Sequence, residues 1–577
     1  MNNLRTLILF AFLLIVFLSC DDDQKATLIL SNAEVWTVDE NNPRAEAVAI
    51  LDNEIIAVGS EGEVMVHAGS NTRILDLNGA FVLPGFNDNH VHFASAARFL
   101  EFNIMRASSQ EEFVNRVEDV VSRLDEGEWI LGGLWGAYDE WEFGSAGGDS
   151  GEKFTPDISL VEEITSGYPL FIQRFDRSEY AVNRKAMELA GLDPDDPRAA
   201  GLTFDSEEYG TPTCIVRGER VAEFFTVFIP DDFSYDRRVR MTKNALDEIR
   251  KHGVTNISDM SDDTQVEIYK ELHEAGELTT RIHYRYHLER WEELAGQGIR
   301  IGSGDPWIRF GSLKGHIDGI MGNSTARFFK PYDHKPDERG SWRRLMVDEE
   351  GNYDPERFFG FMKNADSAGL QLTVHAIGDE ANHLLLNMLE RLNGENGNKD
   401  RRFRLVHAQV MQPEDFNRLG ELDVVAEVQP FHASDDMRWM EERIGSDRAR
   451  YAYAFKSIPE GGAVLSFGTD WPGTAAAEYP INPMYGLYAA TTRKTLTGEP
   501  EGGWFPGEII SIEEAIRAYT LNTAYANFEE DIKGSITPGK LADITVLDKN
   551  LLEIDPMELP EVNTLYTIVD GRIVYER

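Results

Sequence analysis

Short apolar runs alternate with stretches of helical period through the middle of this chain. Eight of the runs read as strands: Phe81–Asp88, Val254–Met260, Arg281–His287, Ile308–His316, Leu370–Ala376, Phe403–Ala408, Val424–Pro430 and Ala463–Asp470. Between them the apolar positions recur with helical spacing, as in Gln265–Ala275, Pro355–Ala368, Glu380–Leu392 and Asp447–Tyr453. Ser511-Ile-Glu-Glu514 has the spacing of a capping box and opens a later helix. Strands that alternate with helices predict a parallel α/β architecture, and eight such units predict a TIM-type (β/α)8 barrel over residues 81–534.

The two ends follow a different period. Thr27–Val38, Ala45–Gly59 and Arg73–Leu77 alternate as strands do, with Asp52-Asn53-Glu54 as a hairpin turn. Leu541–Asp548 and Leu565–Tyr575 behave alike, with Asp570-Gly571 as a tight turn. Together they predict a small composite β-sandwich built from residues 27–80 and 535–577. The interval between the first two barrel strands is about 165 residues, far longer than a βα loop requires. It predicts an inserted subdomain, residues 95–245, containing the runs Glu112–Leu124, Trp129–Leu134 and Leu170–Phe175. The insertion is expected over the barrel mouth, the alternative being a separate domain elsewhere on the surface.

Composition sharpens this picture at three points. A chain of 577 residues is too long for one simple core, and two or three domains are expected. Residues 1–19 read as a secretory signal: a basic start, an apolar Leu7–Leu18 shorter than the ~20 residues of a membrane span, then Ser19-Cys20 and three aspartates. Cys20 resembles a lipoprotein acceptor, although Phe17 stands where leucine is usual; an uncleaved anchor with a chance cysteine is the alternative. The expectation is export across the inner membrane and lipid anchoring in the cell envelope, at the periplasmic face or the cell surface. Cys214 is then the remaining thiol, which excludes an internal disulfide in the mature chain. The 100 acidic against 56 basic residues argue against nucleic acid as a partner. The acids are scattered and read as a solvated surface.

Chemistry gathers at the strand ends. His90 and His92 stand one residue apart at the end of strand one, on the same face. Lys314 lies on strand four, His375 on strand five, His407 on strand six and Asp470 on strand eight, and in a TIM barrel these ends converge on one mouth. Four imidazoles and a carboxylate suit a divalent cation: Zn²⁺ foremost, with Mn²⁺, Fe²⁺ and Ni²⁺ also accepting such donors. Lys314 fits beside a cation if it is carboxylated at its amine to a carbamate; otherwise it is a structural barrel lysine, paired for instance with Asp318.

The motifs resemble the amidohydrolase superfamily, in particular its family 3, which includes N-substituted formamide deformylase. They are Pro84-Gly85-Phe-Asn-Asp-Asn-His90-Val-His92, Gly253-Val-Thr-Asn-Ile-Ser-Asp259-Met260, Lys314-Gly-His-Ile-Asp318-Gly319, Thr325-Ala326, His375-Ala-Ile-Gly-Asp379, Val406-His407-Ala-Gln409, Gln429-Pro-Phe-His432, Gly468-Thr-Asp470-Trp-Pro472 and Gly534-Ser-Ile-Thr-Pro-Gly539-Lys-Leu-Ala-Asp543. The resemblance implies hydrolysis of a non-peptide carbon–nitrogen bond in a small amide-type substrate, with one or two metals per chain. It implies His90, His92 and Asp470 on one metal, His375 and His407 on a second, the Lys314 carbamate bridging them, and Asp470 as proton shuttle. An ester or lactone is the alternative substrate on the same centre, and a non-catalytic ligand-binding lipoprotein the reading from another class. A homo-oligomer is compatible with either. His432 and Asp435 are candidate substrate contacts, His432 having a structural role as its alternative; Asp318 and Trp471 are further candidates. Trp135, Tyr138, Trp141 and Trp471 are either pocket aromatics or plain packing. The chain departs from the family at Asp176-Arg177-Ser178-Glu179, where a histidine is usual, and at Val406, where glutamate is common. Arg177 is either a reader of an anionic substrate or a surface arginine.

Overall fold

A computed structural model describes residues 25–136, 154–193, 203–204, 215–217, 221–474 and 477–577. The signal segment with Cys20, and also Tyr138, Trp141 and Cys214, lie outside the described residues.

Eight parallel strands form the central sheet in sequential order: Phe86–Val91, Val254–Met260, Arg281–His287, Ile308–His316, Leu372–Ala376, Arg404–His407, Val425–Val428 and Val464–Phe467. They are numbered one to eight below. The barrel closes just beyond the ends of strands eight and one. Asp470 N–H donates to His90 O (2.8 Å), His92 N–H donates to Trp471 O (2.8 Å), and Asp88 accepts from both the amide and the hydroxyl of Thr469. Gly468 permits this approach, since a Cβ there would stand 2.3 Å from Asn89 Oδ1 and 2.8 Å from His90 N.

Helices cover the barrel through their apolar faces. Pro355–Ser367 starts with proline in its first turn, where no amide hydrogen is needed, and Asp354 caps it by accepting from Glu356 N. It buries Phe358, Phe359 and Met362 against the barrel. Ser511 and Glu514 form the reciprocal capping box expected from their spacing.

Two further sheets enclose a second core. One holds Glu54–Gly59, Ala47–Leu51, Leu28–Ser31 and Arg73–Asp76 in that order; the other runs Arg572–Glu576, Thr564–Val569, Ile544–Leu547, Phe81–Pro84, Glu34–Trp36 and Arg44–Ala45. Leu30, Val48, Ile50, Val82, Ile544 and Ile568 pack between them, so both ends of the chain build one sandwich. Both expected turns are two-residue hairpin loops: Leu51 pairs with Glu54 and Val569 with Arg572.

Two expectations need correction. The run expected as one barrel strand, Phe81–Asp88, is divided between two sheets. Phe81–Pro84 pairs with Ile544–Leu547 in the sandwich, and the barrel strand begins only at Phe86. The break falls at Gly85, whose amide donates to Asp543 O, where a Cβ would stand 2.3 Å from Thr255 Cγ2. The helix expected over Asp447–Tyr453 is confined to Ser446–Ala449. Tyr453 takes a left-handed conformation (φ +51°), with its carbonyl held by Arg493 and its hydroxyl by Asp436.

The insertion has its own apolar core. Phe113, Val117 and Val120, on the helix Gln110–Val121, pack with Ile130, Ile172 and Val182 of a five-stranded sheet. Ser109 caps that helix by accepting from Glu112 N, a contact worth ~1 kcal/mol in general. Met105 joins Phe431, Ala477 and Tyr479 of the barrel loops, and Arg106 pairs with Glu478 at 2.7 Å. The insertion therefore leans on one wall of the mouth.

Candidate metal centre

The C-terminal ends of the barrel strands surround a cavity of about 250 Å³. His90, His92, Lys314, His375, His407, His432, Asp435 and Asp470 all line it. Ligand atoms of His90, His407 and Asp470 lie within 4.8 Å of one another. His92 Nε2 is 3.2 Å from Asp470 Oδ1, and His90 Nε2 is 3.5 Å from the same oxygen. Lys314 Nζ is 3.3 Å from His90 Nε2, while Arg285 reaches the other nitrogen of that ring, Nδ1, at 3.3 Å. The His375 ring lies 4.6 Å from that of His407, with its Nε2 3.0 Å from Gly319 O.

Burial and crowding set the charge states. Desolvation, then Lys314, His92 and Arg285, hold His90 far below the usual imidazole range; desolvation, His375 and Lys314 do the same to His407. Desolvation lowers His432 to about 4. Each of these three rings is therefore neutral near pH 7 and keeps a lone pair. Desolvation and Arg285 bring the Lys314 amine down to about 7. Desolvation opposes ionisation of Asp470, yet His92, His432 and Lys314 prevail and hold its carboxyl below the ordinary range.

The donor set fits a divalent cation. Buried Asp470 Oδ1 faces the ring nitrogens of His92 and His90 without a well-formed hydrogen bond, an arrangement costly for a carboxylate unless a cation completes it. His407 Nδ1 lies 2.7 Å from Gln429 Oε1, whose amide nitrogen donates to Glu427 O. Gln429 Oε1 thus accepts a hydrogen bond from Nδ1–H and leaves the Nε2 lone pair facing outward, the orientation that metal-binding histidines require. His407 and Asp470 also hold left-handed backbone conformations, φ +75° and +60°. For residues with side chains such conformations cost ~1–3 kcal/mol and cluster at functional sites.

The remaining candidates are placed as follows. Asp318 is fully buried and accepts from the amides of Arg327, Ile377 and Gly378, so it braces the loops after strands four and five. Trp471 is 3% exposed and meets Phe93 edge-on at 6.2 Å, inside the core. Trp135 is buried in the core of the insertion. Arg177 is exposed at a hairpin tip (φ +61°) and is not among the residues lining the cavity. Asp435 lines the cavity but is engaged by Arg438 and by the Tyr479 hydroxyl. The His432 ring lies 3.9 Å from that of Tyr479, tilted by 33°, and its Nε2 is buried without a partner. The structure adds His316, Arg343, Gln409, Asp436 and Tyr479 to the lining. His316 could have been read from strand alternation, being two residues after Lys314. Asp436 ends the short helix Pro430–Asp436, and the other three sit on loops, where no period marks them.

A parallel barrel with a histidine-rich, carboxylate-bearing mouth defines the class of metal-dependent hydrolases. The amidohydrolase family model matches residues 73–575, and the chain belongs to that family. Protein LONG AFTER FAR-RED 3 of Arabidopsis thaliana is 31% identical to it, covering 95% of this chain and 92% of that protein. The putative amidohydrolase YtcJ of Bacillus subtilis is 28% identical over 94% of this chain and 98% of its own length. N-substituted formamide deformylase of Arthrobacter pascens is 25% identical over 96% of this chain and 99% of its own length. Among solved structures, an uncharacterized metal-dependent hydrolase from Pyrococcus furiosus superposes with a TM-score of 0.70 at 24% identity, covering 91% of this chain and all of the other.

Proposed function

We propose that this amidohydrolase hydrolyses a carbon–nitrogen bond of a small amide-type molecule at the mouth of its barrel. The observation that carries the reading is the convergence of His90, His407 and Asp470 donor atoms within 4.8 Å in a cavity large enough for a small molecule. The similarity to an N-substituted formamide deformylase supports the choice of bond.

His90, His92 and Asp470 would hold one divalent cation, Zn²⁺ foremost, with His375 and His407 holding a second where two are bound. Such a cation supplies Lewis acidity, lowering the pKa of water from ~16 to about 7 and polarising a carbonyl. Asp470, kept ionised chiefly by His92, takes the proton of the attacking water and delivers it to the leaving nitrogen. His432, neutral and with a buried, unpartnered Nε2, would hydrogen-bond the amide group.

Buried charge supports carboxylation of Lys314. Beneath it, the fully buried Arg285 and Arg404 share a single carboxylate, Glu427. Two guanidinium charges against one carboxylate leave an excess positive charge, which an ammonium would increase and a carbamate would offset. With the amine brought down to about 7, its uncharged form is well populated at neutral pH. That form adds to carbon dioxide, forming an N–C bond and releasing one proton.

Elemental mass spectrometry of the purified protein, wild type beside Lys314→Ala, tests this reading. Close to two metal equivalents, falling sharply in the variant, is the expected result. One equivalent unaffected by the substitution removes the carbamate bridge and leaves a mononuclear hydrolase. No metal after reconstitution overturns the hydrolytic reading.

A further inference from the structure

The cavity has one cationic group that the hydrolytic reading does not use. Of the two cationic side chains that line it, Lys314 is buried among the candidate ligands, whereas Arg343 is exposed to solvent. Arg343 is nevertheless firmly placed. Its amide donates to Ile317 O at 2.9 Å, directly after the end of strand four, and the preceding Trp342 forms an antiparallel bridge with Asp318. Trp342 is itself fixed, stacked on Tyr353 at 4.8 Å with the Arg327 guanidinium 4.8 Å from its ring. Arg343 Nε donates to Asp318 O at 3.1 Å, which orients the guanidinium plane. No carboxylate among the described residues pairs with its outer nitrogens.

The acids of the cavity are engaged elsewhere. Asp435 is bound by Arg438 and by Tyr479. Asp436 accepts from Gln409 Nε2 and from the Tyr453 hydroxyl, both at 2.5 Å, and burial beside Asp435 raises it to about 8, so it is largely uncharged at pH 7. Asp470 stands among histidines. Apolar side chains of Ile320, Met321, Ile377 and Trp439 supply other parts of the wall. The result is a preoriented planar fork of N–H donors at a cavity with a partly apolar wall, in a chain of formal net charge −44. Such a fork matches the two oxygens of a carboxylate, which a lysine's point charge matches less well.

We propose that Arg343 is a specificity determinant that selects amides carrying a carboxylate beside the scissile bond. The assignment rests on the hydrolytic reading above, which its test separates from it. Calorimetric binding to the metal-loaded protein compares hydrocinnamate with hydrocinnamyl alcohol, which share a phenylpropyl frame and differ in charge. Turnover of N-benzoylglycine is followed in the same preparations. In the wild type hydrocinnamate is expected to bind roughly tenfold tighter or more, the ordinary strength of a charge-assisted pair. In Arg343→Gln the ratio between the probes falls to near one, and Arg343→Lys retains part of it. A ratio that survives in Arg343→Gln, or a wild type without preference, overturns the proposal. An Arg343-dependent ratio without turnover of any amide leaves Arg343 as an anion reader and removes the hydrolytic reading. Turnover without such a ratio does the reverse.

Discussion

At the scale of single residues, the centre is organised by what burial does to charge. Asp470 stays ionised because the groups around it, His92 foremost, outweigh its burial, and Asp436 does not because burial, and then Asp435, oppose its charge. Asp470→Asn keeps the volume and removes the base, so turnover should fall about 10²–10⁴-fold while the fold is kept. Near-normal rates in this variant would move the proton to another group. Asp436 carries a different prediction. Its folded pKa is about 8, against roughly 4 for an unfolded aspartate. Its contribution to stability is complete below the unfolded value and is lost as pH rises through the folded one. Besides Asp435, the facing groups are Tyr453, Arg443 and Arg438, which oppose the shift. Asp436→Asn cannot ionise, so the wild type should lose up to about 1.4 kcal/mol per pH unit relative to it between roughly pH 4 and 8, then level off. Urea midpoints of both proteins along that range decide the point; parallel curves would mean that Asp436 ionises as an exposed aspartate does. The strand-end histidines, Lys314 and Asp470 could be read in the sequence because each closes an apolar run. Arg343 and Tyr479 could not, since only tertiary pairing brings their loops to the cavity. Arg177 stays open to two readings for the same reason: a charged residue in an irregular segment has no periodicity to indicate which way it faces.

At the scale of elements, apolar runs located all eight barrel strands, and the structure moved boundaries more than identities. The run Phe81–Asp88 shows why. Both of its halves are fully buried, so neither shows the alternation that would distinguish a sandwich strand from a barrel strand. Only the close contact at Gly85 separates them. Strand seven illustrates a second limit. It contributes no candidate metal ligand, yet the residue directly after it, Gln429, orients His407 from strand six. Gln429→Leu should remove that constraint without opening a large cavity. Metal affinity is expected to fall about 10–100-fold, with activity restored by excess metal. Competition with a chelator measures the affinity, and an unchanged value would show that packing alone holds the ring.

At the scale of the whole molecule, the sandwich and the barrel are joined by buried charge as well as by apolar contact. Arg281, fully buried at the start of strand three, donates to both oxygens of Asp543 (2.7 and 3.0 Å) and to Asp570 (2.8 Å). Both acids belong to the C-terminal part of the sandwich, so the last residues of the chain neutralise a charge inside the barrel. Composition could not reveal this, because the 100 acidic residues give no sign of which are paired. Desolvation makes the pair a conditional source of stability. Removing one partner leaves a charge stranded in the interior, whereas removing both leaves mainly a packing defect. Asp543→Ala leaves Arg281 with Asp570 as its remaining carboxylate and should destabilise the protein by up to about 3–5 kcal/mol, lowering the melting temperature while sparing metal content and the turnover of molecules still folded. Adding Arg281→Met to that variant should recover part of the loss, since a flexible apolar side chain replaces the partly paired guanidinium. Thermal melts of the two single variants and the double complete the cycle. Strictly additive losses would show that the carboxylate and the guanidinium contribute independently, and that this pair does not couple the two domains.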